Sequence, residues 1–259
     1  MFGKWFSDEI VARMSDRRWW VARHSGKCNG FNAKKLEYWN SQAKTMKPIQ
    51  YILGTQPFLN TRIIVRQPIL IPRQETEQYT EYLINQINLI PFPITVLDAC
   101  CGSGCISLAI AKNTKSKVIG IDINKHAINL SKINQRLEKI PPEQLNYIQA
   151  DIKTWIQPHP FNLVISNPPY IDESEYSTLP SSVRDYEDKN ALIDPNPFSF
   201  YESVSRFDTI KVGELAEFWF EVGDKRAASV SEIIKRRGFK TNIWSDYYKV
   251  ERAVYANRY

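Results

Sequence analysis

The sequence predicts an α/β fold built on a doubly wound, mostly parallel sheet. From residue 94 onward, short apolar runs alternate with amphipathic segments of helical length, and acidic or polar residues close several of these runs. The seven predicted strands are residues 95–98, 118–122, 147–150, 163–167, 217–222, 239–244 and 253–255. The helices predicted between them are residues 106–112, 127–138 and 227–237. This alternation favours βαβ units with helices on both faces of the sheet.

The last two predicted strands indicate how the sheet ends. Only residues 245–252 connect them, whereas a parallel crossover needs about a dozen residues or more, so the two strands should pair antiparallel. A seven-stranded, mostly parallel sheet with an antiparallel last strand fits a class I (Rossmann-like) methyltransferase better than a plain dinucleotide-binding domain.

Three regions are predicted along the chain. Residues 1–46 are aromatic and amphipathic, which predicts a small helical module. Residues 47–93 form a linking region with a β-hairpin and a helix over residues 72–86, whose first turn carries acidic residues as the helix dipole favours. Residues 94–259 form the catalytic domain.

Composition limits the classes of function. Hydrophobic residues make up 43% of the chain, enough for a core, and no apolar run approaches the roughly 18 residues of a membrane span, so we expect no membrane association. The net charge of +6 is compatible with a nucleic-acid or ribosome-associated partner, and equally with a mildly basic surface. The four cysteines and three histidines show no metal-ligand spacing, so we expect no metal and a reducing compartment.

A glycine-containing loop follows the first predicted strand. Residues 98–104 have the sequence Asp-Ala-Cys-Cys-Gly-Ser-Gly, in which Gly102 and Gly104 permit a tight turn and close approach of a ligand to the backbone. Asp122 closes the second strand, where a carboxylate can accept hydrogen bonds from a ribose diol; the alternative is a helix N-cap. Since no further glycine completes a pyrophosphate loop, the pattern favours a nucleoside without a diphosphate.

The other strand ends should extend the same rim of the sheet, beginning with Asp98 on the first strand. Asp151 closes the third strand and can accept the exocyclic amine of adenine, with Ile152 beside the ring; the alternative for Asp151 is again an N-cap. Asn167 closes the fourth strand. Because the first and fourth strands of a doubly wound sheet flank its switch point, Gly102 and Asn167 should face each other across it.

The fourth strand leads into Asn167-Pro168-Pro169-Tyr170. Neither proline has an N–H to donate to the sheet, so the strand ends there. The asparagine oxygen and a proline carbonyl can accept the two hydrogens of a planar –NH2 group, and the tyrosine ring can cover its face. The alternative is a tight turn, because Asn-Pro and Pro-Pro are common turn formers.

These segments make the sequence similar to the HemK/PrmC family, the protein-glutamine N5-methyltransferases that modify peptide chain release factors. The resemblance covers residues 47–259. Its motifs are PIQYILG at 48–54, ILIPRQETE at 69–77, VLDACCGSGCI at 96–106, the strand at 118–122 and NPPY at 167–170. NPPY is shared with amino-methyltransferases of DNA and RNA, whereas the two segments ahead of the glycine loop are specific to this family. The resemblance implies S-adenosyl-L-methionine as donor and the glutamine of the Gly-Gly-Gln loop of a class I release factor as acceptor.

The resemblance also implies roles by position. The residues implied to contact the cofactor are Cys100, Cys101, Gly102, Ser103, Gly104, Asp122, Ile152 and Asn167. The residues implied to hold the substrate amide are Asn167, Pro168, Pro169 and Tyr170, and we expect Asn167, Pro168 and Tyr170 to act in catalysis. The residues implied to border the mouth of the site are Arg73, Glu75 and Glu77. For the two glutamates the alternative is a capped surface helix.

Three features depart from the family pattern. Cys100 stands where the family has the first glycine of the loop, and residues 194–198 replace a glycine-rich continuation after NPPY. The N-terminal module of residues 1–46, which the resemblance implies docks the substrate, is shorter than the bacterial form. The short module and the Cys-Cys-Gly-Ser-Gly loop resemble eukaryotic organellar members, so we expect a mitochondrial location, with the cytoplasm as the alternative.

Two other functions stay open at this point. A DNA adenine or RNA base N-methyltransferase uses the same NPPY chemistry, although such enzymes on DNA usually carry a recognition domain, for which the residues after Tyr170 leave little room. A methyltransferase fold retained as a non-catalytic binding module is the third possibility, and failure to bind S-adenosyl-L-methionine would favour it.

We expect a monomer whose partner is the release factor and which requires no direct contact with nucleic acid.

Overall fold

The computed structural model describes residues 46–258. The predicted helical module of residues 1–46 therefore lies outside the described residues except for its last position. The chain divides into two compact units after Gly54. In the described part of the first unit, helix α1 (Ile49–Leu53) ends at Gly54, whose φ of 77° is a left-handed conformation that glycine adopts without strain. The predicted three-part division of the chain stays a prediction.

The second unit begins with a hairpin and a helix, as predicted for this region. Strand β1 (Thr55–Phe58) pairs antiparallel with β2 (Thr61–Ile64), and helix α2 (Gln74–Asn88) follows. Glu75 and Glu77 lie in the first turn of α2, where the partial positive charge of the helix N-terminus favours acids.

The seven predicted strands and the three predicted helices of the alternation are present, and further short helices, which were not predicted, lie between the fourth and fifth of these strands. The strands are β3 (Thr95–Ala99), β4 (Lys117–Asp122), β5 (Leu145–Gln149), β6 (Leu163–Ser166), β7 (Phe218–Glu221), β8 (Phe239–Ser245) and β9 (Glu251–Arg258). The helices are α3 (Cys105–Asn113), α4 (Lys125–Leu137), α5 (Ser181–Arg184), α6 (Lys189–Leu192), α7 (Pro197–Val204) and α8 (Ala227–Arg236). A 3-10 helix, Glu173–Thr178, lies between β6 and α5.

The main sheet confirms the predicted topology. Within residues 46–258, seven strands lie in the order β5-β4-β3-β6-β7-β9-β8. The first five of these pair parallel, and β9 pairs antiparallel with β7 on one side and β8 on the other. Because β9 has a partner on both sides, it extends over eight residues, well beyond the predicted residues 253–255.

Alternation along β7 separates the two faces of the sheet. Phe218 and Phe220 belong to the apolar core on one face, which also includes residues of α7 and α8. Trp219 points to the other face, where its ring stacks on Tyr255 of β9 at 4.8 Å between centroids. Tyr82 of α2 lies 5.7 Å from the same ring. These aromatic contacts hold α2 on the face of the sheet formed by β7 and β9. They position the first turn of α2 next to the last residue of β7.

Among residues 46–258, none of the helices has the length and apolarity that crossing a bilayer requires.

Candidate active site

The site is built where β3 and β6 end side by side. The two strands pair parallel from Val96 with Leu163 to Ala99 with Ser166. The Ser166 hydroxyl donates a 2.7 Å hydrogen bond to the Ala99 carbonyl, which fixes the last residues of both strands. The glycine loop and the NPPY segment therefore leave the sheet from adjacent positions, as predicted for a switch point.

The loop after β3 turns through three left-handed residues. Cys100, Gly102 and Gly104 have φ values of 62°, 55° and 82°. A left-handed conformation at a residue with a Cβ costs about 1 kcal/mol or more, which explains why glycine suits the position that Cys100 occupies. The side chains of Cys101 and Ser103 are buried. The loop therefore presents mainly its backbone at Gly102 to a ligand.

The two glycines meet different surroundings. A Cβ at Gly102 would have no heavy atom within 4 Å, so this face of the loop is open. A Cβ at Gly104 would lie 2.3 Å from the Tyr147 hydroxyl oxygen and 2.9 Å from Ser131 Cβ. Gly102 therefore permits close approach of a ligand, and Gly104 permits packing of the loop on the protein.

Asp122 closes β4 and braces the loop. Its Oδ2 accepts a 2.9 Å hydrogen bond from the Gly102 amide, and its Oδ1 accepts one of 2.8 Å from the Asn124 amide. Burial raises the pKa of Asp122, and these two hydrogen bonds act against that rise. The N-cap of α4 is Asn124, which accepts from the His126 amide. Asp122 is thus not the N-cap, and each of its oxygens keeps a lone pair for a ligand hydroxyl.

The amides of the loop are largely committed within the protein. Those of Cys101, Gly102 and Gly104 donate to the Ile121 carbonyl, the Asp122 carboxylate and the Cys101 carbonyl. A loop that binds a diphosphate leaves such amides free to point at the phosphates. The arrangement instead fits a nucleoside whose ribose faces Asp122, and the predicted nucleoside fits the residues present.

Two predicted rim residues occupy other surroundings. Asp98 does not reach the rim: it precedes the last residue of β3, is buried, and accepts from the Ser107 amide of α3 through Oδ2. Its position is set by strand alternation, which directs it under α3. Asp151 lies two residues beyond β5, and its Oδ1 accepts from the Lys153 amide. Ile152 is buried in the apolar core, against which Cys100 also packs. Roles for Asp151 and Ile152 in cofactor binding stay predictions.

The NPPY segment is tied to a buried glutamate. Asn167 Nδ2 lies 3.3 Å from Thr76 Oγ1, and the Thr76 hydroxyl donates a 2.7 Å hydrogen bond to Glu221 Oε2. The Tyr170 hydroxyl donates to Glu221 Oε1 at 3.4 Å. A Cβ at Gly223 would lie 3.0 Å from the Tyr170 ring, so the segment after β7 packs closely beneath that ring. One carboxylate at the end of β7 thus supports both ends of NPPY.

Ion pairs surround the predicted mouth. Arg73, at the start of α2, pairs with the buried Glu187. Arg252 of β9 lies 3.8 Å from Glu75. Glu77 instead accepts from the Leu59 amide of the hairpin turn, so its side chain is engaged there. Contact of Arg73 and Glu75 with a substrate stays a prediction.

Among residues 46–258, no three His, Cys, Asp or Glu side chains are grouped so that they could hold a metal ion.

Comparison with known proteins identifies the family. Residues 63–181 match the family described as methyltransferase small domain. A release factor glutamine methyltransferase of Fusobacterium nucleatum is 36% identical over 84% of this chain and 62% of its own length. The corresponding Clostridium acetobutylicum protein is 33% identical over 86% of this chain and 79% of its own length. The chain belongs to the release factor glutamine methyltransferase family.

Solved structures agree with this membership at the level of the fold. Magnesium protoporphyrin IX methyltransferase from Synechocystis PCC 6803 with bound SAH has a TM-score of 0.51. Its sequence is 13% identical to this one, and the match covers 88% of this chain and 96% of the chain of that protein. The predicted α/β class I methyltransferase fold is therefore confirmed. The chain spans 62% of the length of the Fusobacterium relative.

Three residues of the site are not among those predicted from the sequence: Thr76, Asn134 and Glu221. Asn134 of α4 binds the Ile64 backbone and the Ser103 carbonyl, and so links the hairpin to the loop. Its helical position gives no sequence signal. Glu221 does carry one, because it is an acid near the end of a predicted apolar strand, the rule that identified Asp122.

Proposed function

We propose that this chain uses S-adenosyl-L-methionine to methylate N5 of the glutamine in the Gly-Gly-Gln loop of a class I peptide chain release factor, in support of translation termination. The arrangement that carries the proposal is NPPY, held by Glu221 at the strand end next to the Asp122-braced loop. The curated relatives bear the name of this activity. An amide acceptor beside a nucleoside site is what this geometry suits.

The chemistry follows from the groups present. When bound, S-adenosyl-L-methionine supplies an electrophilic methyl group on a sulfonium. Asn167 Oδ1 and the Pro168 carbonyl accept hydrogen bonds from the two N–H groups of the glutamine amide. These hydrogen bonds return electron density to the amide nitrogen, which is otherwise a weak nucleophile. Transfer of this methyl group would form the N–C bond and break the C–S bond, the electron pair would go to sulfur, and one amide proton would leave to water. The Tyr170 ring fixes the amide plane.

The direct test is methyl transfer from labelled S-adenosyl-L-methionine in a mixture of release factor, its Gly-Gly-Gln→Gly-Gly-Ala variant and nucleic acid. Label on the wild-type factor alone, with the mass shift on its glutamine, is the expected result. Label on nucleic acid would transfer the proposal to a base N-methyltransferase. Label on neither, with the cofactor bound, would overturn the proposed substrate.

Asn167→Ala tests the role of NPPY. We expect kcat to fall by about a hundredfold or more, because an acceptor of the reacting amide is lost, while affinity for the cofactor changes little. Asn162→Ala, at the other end of the segment that forms β6, is the matched control, since Asn162 accepts from the Thr95 amide. Turnover retained by a folded Asn167→Ala protein would contradict this mechanism.

Assembly and location complete the proposal. We propose a monomer that needs no nucleic acid and resides in mitochondria, with the cytoplasm as the alternative. The Cys-Cys-Gly-Ser-Gly sequence of the loop supports the location. Light scattering of the purified protein and microscopy of a fluorescent fusion, tagged at the C-terminus, test these points.

A further inference from the structure

We propose that Glu221 and Thr76 are positioning residues for glutamine methylation: the ionised Glu221 carboxylate, acting through the Thr76 hydroxyl, fixes which atom of the Asn167 amide faces the substrate. This inference rests on the function proposed above and adds the group that controls it.

Glu221 is a buried acid whose side-chain partners are hydroxyl groups. Its residue is 3% exposed, and it lies on the face of β7 that α2 covers. The Thr76 hydroxyl donates to Oε2 at 2.7 Å, and that of Tyr170 donates to Oε1 at 3.4 Å. Burying a carboxylate with neutral partners destabilises a protein, so a functional reason for its presence is expected.

The protons available to the hydrogen bonds that link Glu221, Thr76 and Asn167 can be counted. A threonine hydroxyl has one proton, and an ionised carboxylate can only accept, so the Thr76 proton is used on Glu221. Toward Asn167 the Thr76 oxygen can then act only as an acceptor. It therefore selects the side-chain orientation in which Asn167 directs Nδ2 at Thr76, as the structure has it at 3.3 Å. Asn167 Oδ1 is left to accept from the substrate amide.

Protonation of Glu221 removes this selection. A neutral carboxyl can donate its proton to the Thr76 oxygen, and the Thr76 hydroxyl can then donate toward Asn167. That arrangement favours the flipped amide, with Oδ1 toward Thr76 and Nδ2 toward the substrate. Two N–H donors would then face each other, and the substrate amide would lose its acceptor.

The ionisation of Glu221 lies in an accessible range of pH. Burial raises the pKa of Glu221 to about 7, with the charge of Glu75 adding to the rise and the hydroxyls of Thr76 and Tyr170 opposing it. The titratable groups that face Glu221 are Glu75 and Tyr79 of α2, Tyr170 after β6, Cys105 of α3 and Tyr201 of α7. Active enzyme should therefore increase as pH rises through the ionisation of Glu221.

The first experiment measures kcat/KM for the release factor from pH 5.5 to 8.5, because this ratio reports ionisations of the free enzyme and substrate. We expect Glu221→Gln to be at least tenfold below wild type at pH 8.5 and within twofold at pH 5.5, where wild type is itself protonated. Glu217→Gln is the matched control, since Glu217 is a buried glutamate just before the other end of β7. It should keep the wild-type profile.

The second experiment removes the Thr76 hydroxyl. Thr76→Val should lower kcat at least tenfold, Thr76→Ser should restore it, and calorimetry should give cofactor dissociation constants within twofold of wild type for both. Thr80→Val, one turn along α2, is the control, because its hydroxyl bonds the Thr76 carbonyl instead.

Wild type without activity on any release factor would refute the proposed function itself. Active wild type with a Glu221→Gln variant of unchanged pH profile, or with Thr76→Val equal to Thr80→Val, would overturn only the positioning role.

Discussion

Gly102 and Gly104 lie two residues apart, and a Cβ added at each would meet different surroundings. Both have a positive φ, which costs about 1 kcal/mol or more for a residue with a Cβ. Only at Gly104 would the Cβ also collide, with the Tyr147 hydroxyl at 2.3 Å. At Gly102 it would project into open space on the side proposed for the cofactor.

Alanine substitutions should separate these requirements. Gly104→Ala should lower the free energy of unfolding by about 2–4 kcal/mol, since strain and overpacking add. Gly102→Ala should lower it by only about 1 kcal/mol but weaken binding of S-adenosyl-L-methionine more than tenfold. Urea unfolding and calorimetry measure the two quantities. Unimpaired binding by Gly102→Ala would refute the proposed approach of the cofactor to this glycine.

At the scale of elements, α4 connects the hairpin to the loop. Asn134 Oδ1 accepts from the Ile64 amide at 2.8 Å, and its Nδ2 donates to the Ile64 and Ser103 carbonyls at 3.1 and 2.9 Å. The side-chain amide thus pairs with β2 as a neighbouring strand would, and also holds the loop.

Asn134→Ala should therefore act on both stability and binding. We expect a loss of about 2–3 kcal/mol in the free energy of unfolding, because buried partners lose their hydrogen bonds, and a several-fold weaker affinity for the cofactor. Asn113→Ala is the control, since Asn113 also contacts the hairpin, through the exposed Asn60. Equal effects of the two variants on cofactor affinity would show that the Asn134 link does not shape the loop.

The elements themselves were largely predictable, and the contacts between them were not. Alternation of apolar runs gave the strands of the main sheet, and the short last connection gave the antiparallel β9, because both depend on neighbouring residues. Thr76 and Glu221 are 145 positions apart, and Asn134 is 70 positions from Ile64. No local pattern pairs such residues, so the support of Asn167 required the structure.

At the scale of the molecule, two buried carboxyl groups in the main sheet lower the stability of the folded protein. Asp98 under α3 and Glu221 under α2 are buried carboxyls on two different strands. Burial raises the pKa of each to about 7, well above the values of 3.8 and 4.5 that apply to the exposed groups. The native state therefore binds more protons than the unfolded chain between these limits.

Stability should consequently fall as pH rises from about 4.5 to 7.5. Each pKa unit corresponds to about 1.4 kcal/mol, so each carboxyl destabilises the ionised protein by a few kcal/mol. Below this window the destabilisation is absent, because both carboxyls are protonated in the folded and in the unfolded state. At lower pH still, Glu138 and Asp246, whose partners lower their pKa, lose their stabilising interactions.

Urea unfolding at pH 5.5 and 8 measures the effect. Wild type should be less stable at pH 8, and Asp98→Asn and Glu221→Gln should each reduce the difference, because an amide does not ionise. Asp185→Asn removes an exposed carboxylate and controls for the change in net charge. If Glu221→Gln is more stable than wild type at pH 8 yet turns over more slowly, the buried charge is retained for catalysis at the expense of the fold. A wild-type difference that neither buried variant reduces would show that these two carboxyls are not the source of the pH dependence.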